Sequence, residues 1–282
     1  MIAFLGTGLL GSGFVRALRG RGEAVNVWNR SAEKARALEA IGARAFDDPA
    51  EAVRGASRVH LALSDDAAVD EVLERARPGL APGAILVDHT TTSSKGAAAR
   101  AKRWAERGIR YQHAPVFMSP ANAAESKGVM MLSGDQALID ALSPELSKMT
   151  GKLLPLGPDP SRAAGFKLLG NLFLMFMTDG LAEMLRLAKA LDIPREEAGK
   201  LFDVFNPGPT IPARIKRMLS GDYSQPSWEL GMARKDARLM LEAAQEAGMP
   251  LPVLPSLAEE LDRWIERGHA REDWTVIAKD AL

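Results

Sequence analysis

Two stretches of the chain carry residues whose types and spacing can do chemistry. The first is Gly6-Thr7-Gly8-Leu9-Leu10-Gly11, which follows the apolar run Ile2-Ala3-Phe4-Leu5 and opens the helical pattern Leu9 to Leu18. Between a strand and a helix, one glycine of such a G-x-G-x-x-G permits a tight turn. Another lets the backbone approach a pyrophosphate, and the last lets helix and strand pack closely. The helix N-terminus adds free N–H groups and the positive end of its dipole. This is a dinucleotide site, the plainer alternative being a structural glycine turn. The second stretch holds Lys167 and Asn171 among Phe166, Leu168, Leu169 and Leu172. Spacing of i,i+4 puts the pair on one helical face. Polar groups in such company are costly to bury unless they line a wet cleft, although a lysine can also snorkel to the surface.

The end of the second strand, Ala24 to Trp28, decides which dinucleotide binds. An acidic residue there would take the ribose hydroxyls of NAD. The chain instead reads Asn29-Arg30-Ser31, with Lys34 one helical turn on. An amide, a guanidinium, a hydroxyl and an ammonium suit a 2′-phosphate, so NADP(H) is the expected cofactor. Arg30 as an ordinary solvated charge is the alternative.

These residues need a scaffold, and the first half of the chain supplies a βαβα rhythm. Further strands are expected at Val59–Leu63 and Ile85–Asp88, and helices at 32–41, 67–77 and 94–106. Two more strands are expected within Arg110–Val116 and Val129–Leu132. Alternation of this kind makes a parallel sheet covered on both faces, an α/β Rossmann domain. After Pro158 strand signals vanish, and Ser161 to Leu191 reads as one helix, ~45 Å long at 1.5 Å per residue. Its middle is apolar nearly all round, which predicts burial on every side, as a spine between domains also touched by a second subunit. Residues 195–282 read as further helices broken at Asn206-Pro207-Gly208-Pro209, Gly221-Asp222 and Gly248-Met249-Pro250. The expected domains are therefore 1–160, binding NADP, and an all-helical 161–282, serving substrate binding and dimerisation.

Composition narrows the field. The 282 residues carry 36 Lys+Arg and 36 Asp+Glu, a zero balance that disfavours nucleic acid or an anionic membrane as partner. With no cysteine, a disulfide framework, a Cys-ligated metal and a thiol nucleophile are excluded. No His/Asp/Glu spacing suggests a metal site. The first residues lack the basic start of a signal peptide, and the apolar run Leu168–Met177, containing Asn171, is short for a membrane span. A cytoplasmic protein is expected.

With the glycine turn at residue 6, Asn-Arg-Ser after the second strand and a long apolar helix from about 160, the chain resembles the β-hydroxyacid dehydrogenase family. Its members include 3-hydroxyisobutyrate dehydrogenase and the succinic-semialdehyde (glyoxylate) reductases. The resemblance spans nearly the whole chain and implies a Rossmann domain, a long interdomain helix and an all-α domain, in a homodimer or homotetramer assembled through the C-terminal domain. Asp88-His89-Thr90-Thr91 resembles the family's D-x-S-T and implies that Thr90 and Thr91 lie beside nicotinamide and substrate, with Ser93 or Ser94 capping the next helix. Lys167 matches the catalytic lysine and Asn171 the asparagine four residues on. A second asparagine, usual in the family, is here Gly170. Trp228-x-x-x-Met232-x-x-Lys235-Asp236 resembles F-x-x-x-L-x-x-K-D, implying that Lys235 reaches the cofactor. Leu63 and Ser64, just past the strand at 59–63, join the cofactor set.

The main departure is Ala114-Pro115-Val116-Phe117-Met118-Ser119, where the family has S-G-G after A-P-V. Phe117 and Met118 add bulk to the substrate wall, Ser119 offers the replacement hydroxyl, and His113 replaces an acidic residue. The reading that follows is an NADPH-dependent reductase of a small carbonyl compound, a semialdehyde or β-hydroxyacid substrate, with Lys167 as proton donor. Asn171 would fix Lys167 or the substrate oxygen, and Thr91 and Ser119 would help position the substrate. His89 and His113 flank the cleft as possible auxiliary acids; His60 is structural. An imine reductase-like enzyme and a non-catalytic NADPH-binding module stay open as alternatives.

Overall fold

The computed structural model describes residues 1–282, which divide into two compact units, Met1–Leu172 and Phe173–Leu282. The division falls inside the long helix, whereas the sequence places it at 160/161.

In the first unit six strands form one parallel sheet: β1 (Ile2–Leu5), β2 (Val25–Trp28), β3 (Arg44–Phe46), β4 (Arg58–Leu61), β5 (Ile85–Asp88) and β6 (Arg110–His113). Their spatial order is β3-β2-β1-β4-β5-β6, all parallel, the doubly wound Rossmann arrangement. The order reverses between β1 and β4, so the loops leaving these two strands diverge and open a crevice there. Strands β1 and β2 are buried throughout, as their near-continuous apolar runs require in a sheet covered on both faces. The covering helices are α1 (Leu9–Gly20), α2 (Ala32–Arg36), α3 (Pro49–Val53), α4 (Asp66–Ala76) and α5 (Ser94–Glu106). Phe4, Phe14, Val27 and Val87 belong to one core cluster, Leu5, Trp28, Leu61, Leu86 and Trp104 to the other.

Four elements depart from the sequence reading. The helix expected over 32–41 ends at Arg36 and resumes as a 3-10 turn, Glu39–Ile41. Strand β3 and helix α3 were not foreseen, being short and mixed in polarity. The strand expected through Val116 breaks at Ala114-Pro115, because proline has no N–H to continue the ladder. The chain crosses there to a second sheet of β7 (Val116–Phe117), β8 (Val129–Leu132) and β9 (Lys152–Pro155), in which β7 pairs antiparallel and β9 parallel with β8. Helices α6 (Pro120–Ala124) and α7 (Gln136–Leu146) belong to the same segment.

Helix α8 runs from Arg162 to Ala190, close to the expected bounds. Its first turns are anchored: Ala163 and Ala164 are fully buried, and the Ala163 N–H donates to Ser133 Oγ at 2.9 Å. The expected burial of its middle does not occur within one chain, where Leu169, Met175 and Phe176 are 63%, 68% and 62% exposed. Taken with its flanks the helix is long and apolar enough to cross a membrane by length and composition, which the run Leu168–Met177 alone does not suggest.

The second unit holds the rest of α8 with α9 (Arg195–Val204), α10 (Ile211–Ser220), α11 (Leu230–Glu246) and α12 (Leu254–Trp264). They close over Tyr223, Leu230, Leu261, Trp264 and Val276. Asp273 is fully buried there and accepts from Ser227, Thr275 and Arg217. These hydrogen bonds hold its carboxyl well below the usual range despite the opposing effect of burial.

Candidate active site

At the strand-order reversal lies a cleft of about 430 Å³, lined among others by Gly6, Gly8, Leu10, Gly11, Leu63 and Ser64. The glycine turn is built as its sequence demands. Gly6 has φ +95°, and a Cβ there would overlap the Ala62 carbonyl. A Cβ on Gly11 would overlap Gly6 O, so helix α1 could not start so close to β1. Gly8, by contrast, faces open space, which leaves its backbone accessible to a phosphate. Leu9, 80% exposed, lines the same cleft.

Thr7 is buried and its hydroxyl oxygen has no hydrogen-bond partner. That orphan, the bare Gly8 and the free start of α1 fit a bound pyrophosphate. Asn29 holds the turn in place: its Oδ1 accepts from the Thr7 N–H at 2.9 Å and its Nδ2 donates to Ser31 O at 3.1 Å. The amide expected to bind cofactor is thus committed to the protein, a role that sequence spacing does not reveal.

Arg30, Ser31 and Lys34 also line the cleft. Neither Arg30 nor Lys34 forms an ion pair with the protein, and Ser31, at the N-cap of α2, makes no side-chain cap bond. Arg75 was missed from sequence. It lies in the last turn of α4, 5.3 Å from the Trp28 ring, and lines the same wall. Its neighbour Glu71 is the one carboxylate there, paired to Arg75 at 3.7 Å. Nothing in the local sequence marks Arg75; it arrives because β4 lies beside β1 and α4 then crosses near the end of β2.

The loop after β5 is fixed from beneath. Buried Asp88 accepts from the Thr90 N–H at 2.9 Å and from Tyr111 Oη at 2.6 Å. Tyr111 meets Arg100, which is itself bound to Asp66 and Asp70. Burial beside the Asp88 charge pushes the Tyr111 phenol well above its ordinary range, so it stays a donor. Thr90 lines the cleft, but its hydroxyl accepts from the Leu63 N–H at 3.0 Å and ties the ends of β4 and β5 together. Thr91 is exposed and free to meet a ligand. Ser93 caps α5, its Oγ accepting from the Gly96 N–H at 3.0 Å.

The buried histidines form a tautomer-locked chain. Arg58 can only donate, so His60 Nε2 accepts at 2.8 Å and carries its proton on Nδ1. That proton goes to His89 Nε2 at 2.9 Å, and His89 Nδ1 donates to Ala114 O at 2.8 Å. His89 also stacks on Phe14 with centroids 4.9 Å apart. Burial lowers His60 well below its ordinary value and His89 to about 4. His113, buried, bonds the Thr90 carbonyl at 2.9 Å and is lowered for the same reason. Both ring nitrogens of His60 and His89 are bonded inside the protein, whereas His113 Nδ1 is buried with no partner; burial keeps all three rings neutral, against the expectation of His89 and His113 as auxiliary acids. They brace the β5 loop and the Ala114 turn.

Lys167 and Asn171 fall on one stretch of α8, both half-buried, with no hydrogen bond between them. Gly165 sets this stretch against the first residue of α5: a Cβ there would lie 3.4 Å from Ser94 Oγ, while Lys167 and Asn171 do not line the glycine-turn cleft. Lys167 has no ion-pair partner, and its Nζ stands 4.5 Å from the centroid of Phe117. Burial alone lowers its pKa from the ordinary lysine value. Two residues expected at the substrate wall have other engagements in the fold. The Ser119 hydroxyl donates to Asn122 Oδ1 at 2.7 Å and accepts from the Asn122 N–H at 3.1 Å, a capping box at the start of α6. Met118 packs on the core cluster. Lys235 lies on α11 in the second unit, where its Nζ pairs with Asp236 at 2.8 Å.

Comparison with known proteins accords with this architecture. Residues 1–157 match the family described as the NAD binding domain of 6-phosphogluconate dehydrogenase. An uncharacterized oxidoreductase of Shewanella frigidimarina is 30% identical over 260 residues, covering 89% of this chain and 88% of the relative. The 3-sulfolactaldehyde reductase of Escherichia coli is 26% identical over 281 residues, covering 98% of this chain and 94% of that enzyme. Among solved structures, the imine reductase from Myxococcus stipitatus in complex with NADP+ has a TM-score of 0.90 over 99% of both chains at 19% identity, which is a likeness of fold. A nicotinamide-binding Rossmann unit continuous with a helical unit, and sequence similarity along the whole length, place this chain in the oxidoreductases of the β-hydroxyacid dehydrogenase type.

Proposed function

We propose that the protein is an NADPH-dependent reductase of a small carbonyl compound, with Lys167 as the proton donor. The observation carrying this reading is a half-buried lysine with no counter-ion, two residues along α8 from Gly165, which lies against the first residue of α5. The bound nicotinamide would supply the hydride. Lys167 would neutralise the charge growing on the carbonyl oxygen and pass its proton there, a task favoured by a pKa that burial holds below the ordinary lysine value. Asn171, one turn on with its amide uncommitted, would orient the oxygen. Thr91 would meet the nicotinamide side, while Thr90 and Asp88 keep its loop in place. Arg30, Ser31 and Lys34, without ion-pair or cap partners, and Arg75, paired to Glu71, support NADP over NAD, because four donors line the cleft and its one carboxylate is already engaged. Lys235 would assist on the cofactor from the helical unit.

The test is NADPH oxidation against aldehydes, ketones, semialdehydes and cyclic imines. Lys167→Ala is expected to lose ~100-fold or more in kcat with cofactor affinity retained; normal turnover by that variant would remove the assignment. Phe117, an aromatic ring at Lys167, favours an imine reductase as second reading, and turnover of cyclic imines alone would establish it. NADPH binding with no turnover at all would leave a nucleotide-binding module. We also infer that a second copy of the chain covers the exposed apolar middle of α8, giving a homodimer or homotetramer; a monomer by sedimentation at micromolar concentration would refute it.

A further inference from the structure

Phe117 ends β7, opposite Val129 on β8, and its ring reaches helix α8. There it meets Gly170: a Cβ on that residue would overlap ring atom Cζ and lie 2.6 Å from Cε1. Any side chain at 170 would push the ring away, so this approach exists only because the residue is glycine. One turn earlier on the same helix, the Lys167 ammonium stands over the ring at 4.5 Å from its centroid. No carboxylate, carbonyl or hydroxyl bonds that ammonium, so the electron-rich ring face is its one electrostatic complement.

The arrangement has a consequence for ligands. A carboxylate seeking Lys167 from this side would have to displace the ring or face its negative π-surface. Met118, next in the chain, is partly buried against the core and offers no donor, and Ser119 has its hydroxyl committed to the cap of α6. We propose that Phe117, seated on Gly170, is a specificity-determining residue that makes the wall beside Lys167 apolar, so that the substrate is an uncharged aldehyde or ketone and not a carboxylated one. This rests on the reading of Lys167 as proton donor: an ammonium faced by an aromatic ring and serving the carbonyl oxygen is not free for a second, anionic group.

The experiment uses the full chain with saturating NADPH and substrates that share one carbonyl, succinic semialdehyde and its methyl ester. The ester is expected to show kcat/KM at least tenfold above that of the acid. Phe117→Ser should shrink that ratio at least fivefold, through a lower KM for the acid. Phe117→Leu, which keeps apolar bulk, covers the case in which the serine variant fails to fold and should retain the preference for the ester. A wild-type preference for the acid, or a ratio unmoved by Phe117→Ser, overturns the proposal. Equal turnover of acid and ester removes this inference and leaves the reductase reading standing. Turnover of neither, nor of any other carbonyl, removes the reductase reading and this inference with it.

Discussion

The chain Arg58–His60–His89–Ala114 makes a quantitative prediction about stability in acid. In the folded protein every imidazole nitrogen of His60 and His89 is engaged, one donating and one accepting on each ring. A second proton on His89 would place its N–H against that of His60; a second proton on His60 would face the Arg58 guanidinium. Burial adds to the penalty, and His89 is lowered from 6.5 to about 4. The unfolded chain takes up the proton at the ordinary value, so it binds more protons than the folded chain between these two pH values. Stability is therefore complete above pH 6.5 and falls as pH drops toward 4. At about 1.4 kcal/mol per pH unit the whole window amounts to about 3 kcal/mol for His89, of which about 2.5 kcal/mol is gone by pH 4.5. His60 and His113 are lowered too and act in the same direction. The perturbation is His89→Asn, which puts an amide N–H near the position of Nδ1 and cannot titrate. Urea unfolding of both proteins at pH 7.5 and 4.5 isolates the contribution, because the carboxylates common to both cancel. The variant should be weaker at pH 7.5, having lost the ring stack and its bond to His60. It should lose about 2.5 kcal/mol less than wild type between the two pH values. An equal acid loss in the two proteins would refute the argument that His89 is held neutral by the fold.

Gly11→Ala should abolish NADPH binding and destabilise the first unit, since the added methyl overlaps the Gly6 carbonyl; calorimetric titration with NADPH and thermal melting check both. Arg30→Ala should raise the KM for NADPH by about tenfold while leaving that for NADH nearly unchanged, the loss of one charge-assisted phosphate contact of about 1.5 kcal/mol; steady-state kinetics with the two cofactors decides it. Ser119→Ala removes the capping box of α6 and should cost about 1 kcal/mol by urea unfolding. A loss of activity without that loss of stability would return Ser119 to the substrate wall.

Local pattern told most about the fold. The glycine turn between an apolar run and an amphipathic one, the Asn29-Arg30-Ser31 end of β2 and the span of α8 are all legible because turn geometry and periodicity are set by neighbours in sequence. Short or half-exposed elements were the blind spot: β3 and β7 have three and two residues, too few for a period to show, and β9, Lys152–Pro155, is only partly buried and ends in proline. Roles of polar side chains were harder still. Asn29, Thr90 and Ser119 have types suited to a ligand, yet their hydrogen bonds go to Thr7, Leu63 and Asn122.

The sequence by itself determined that a dinucleotide turn opens the chain, that a parallel sheet carries it, and that Lys167 and Asn171 share a face of one long helix. Only the tertiary structure decided that His60 and His89 meet, that Arg75 enters the cleft, and that Phe117 rests on Gly170 beneath the Lys167 ammonium. The physical reason is distance along the chain. Backbone conformation answers to residues a few positions away, whereas these partners come together only after strand order and helix packing have fixed which distant segments touch.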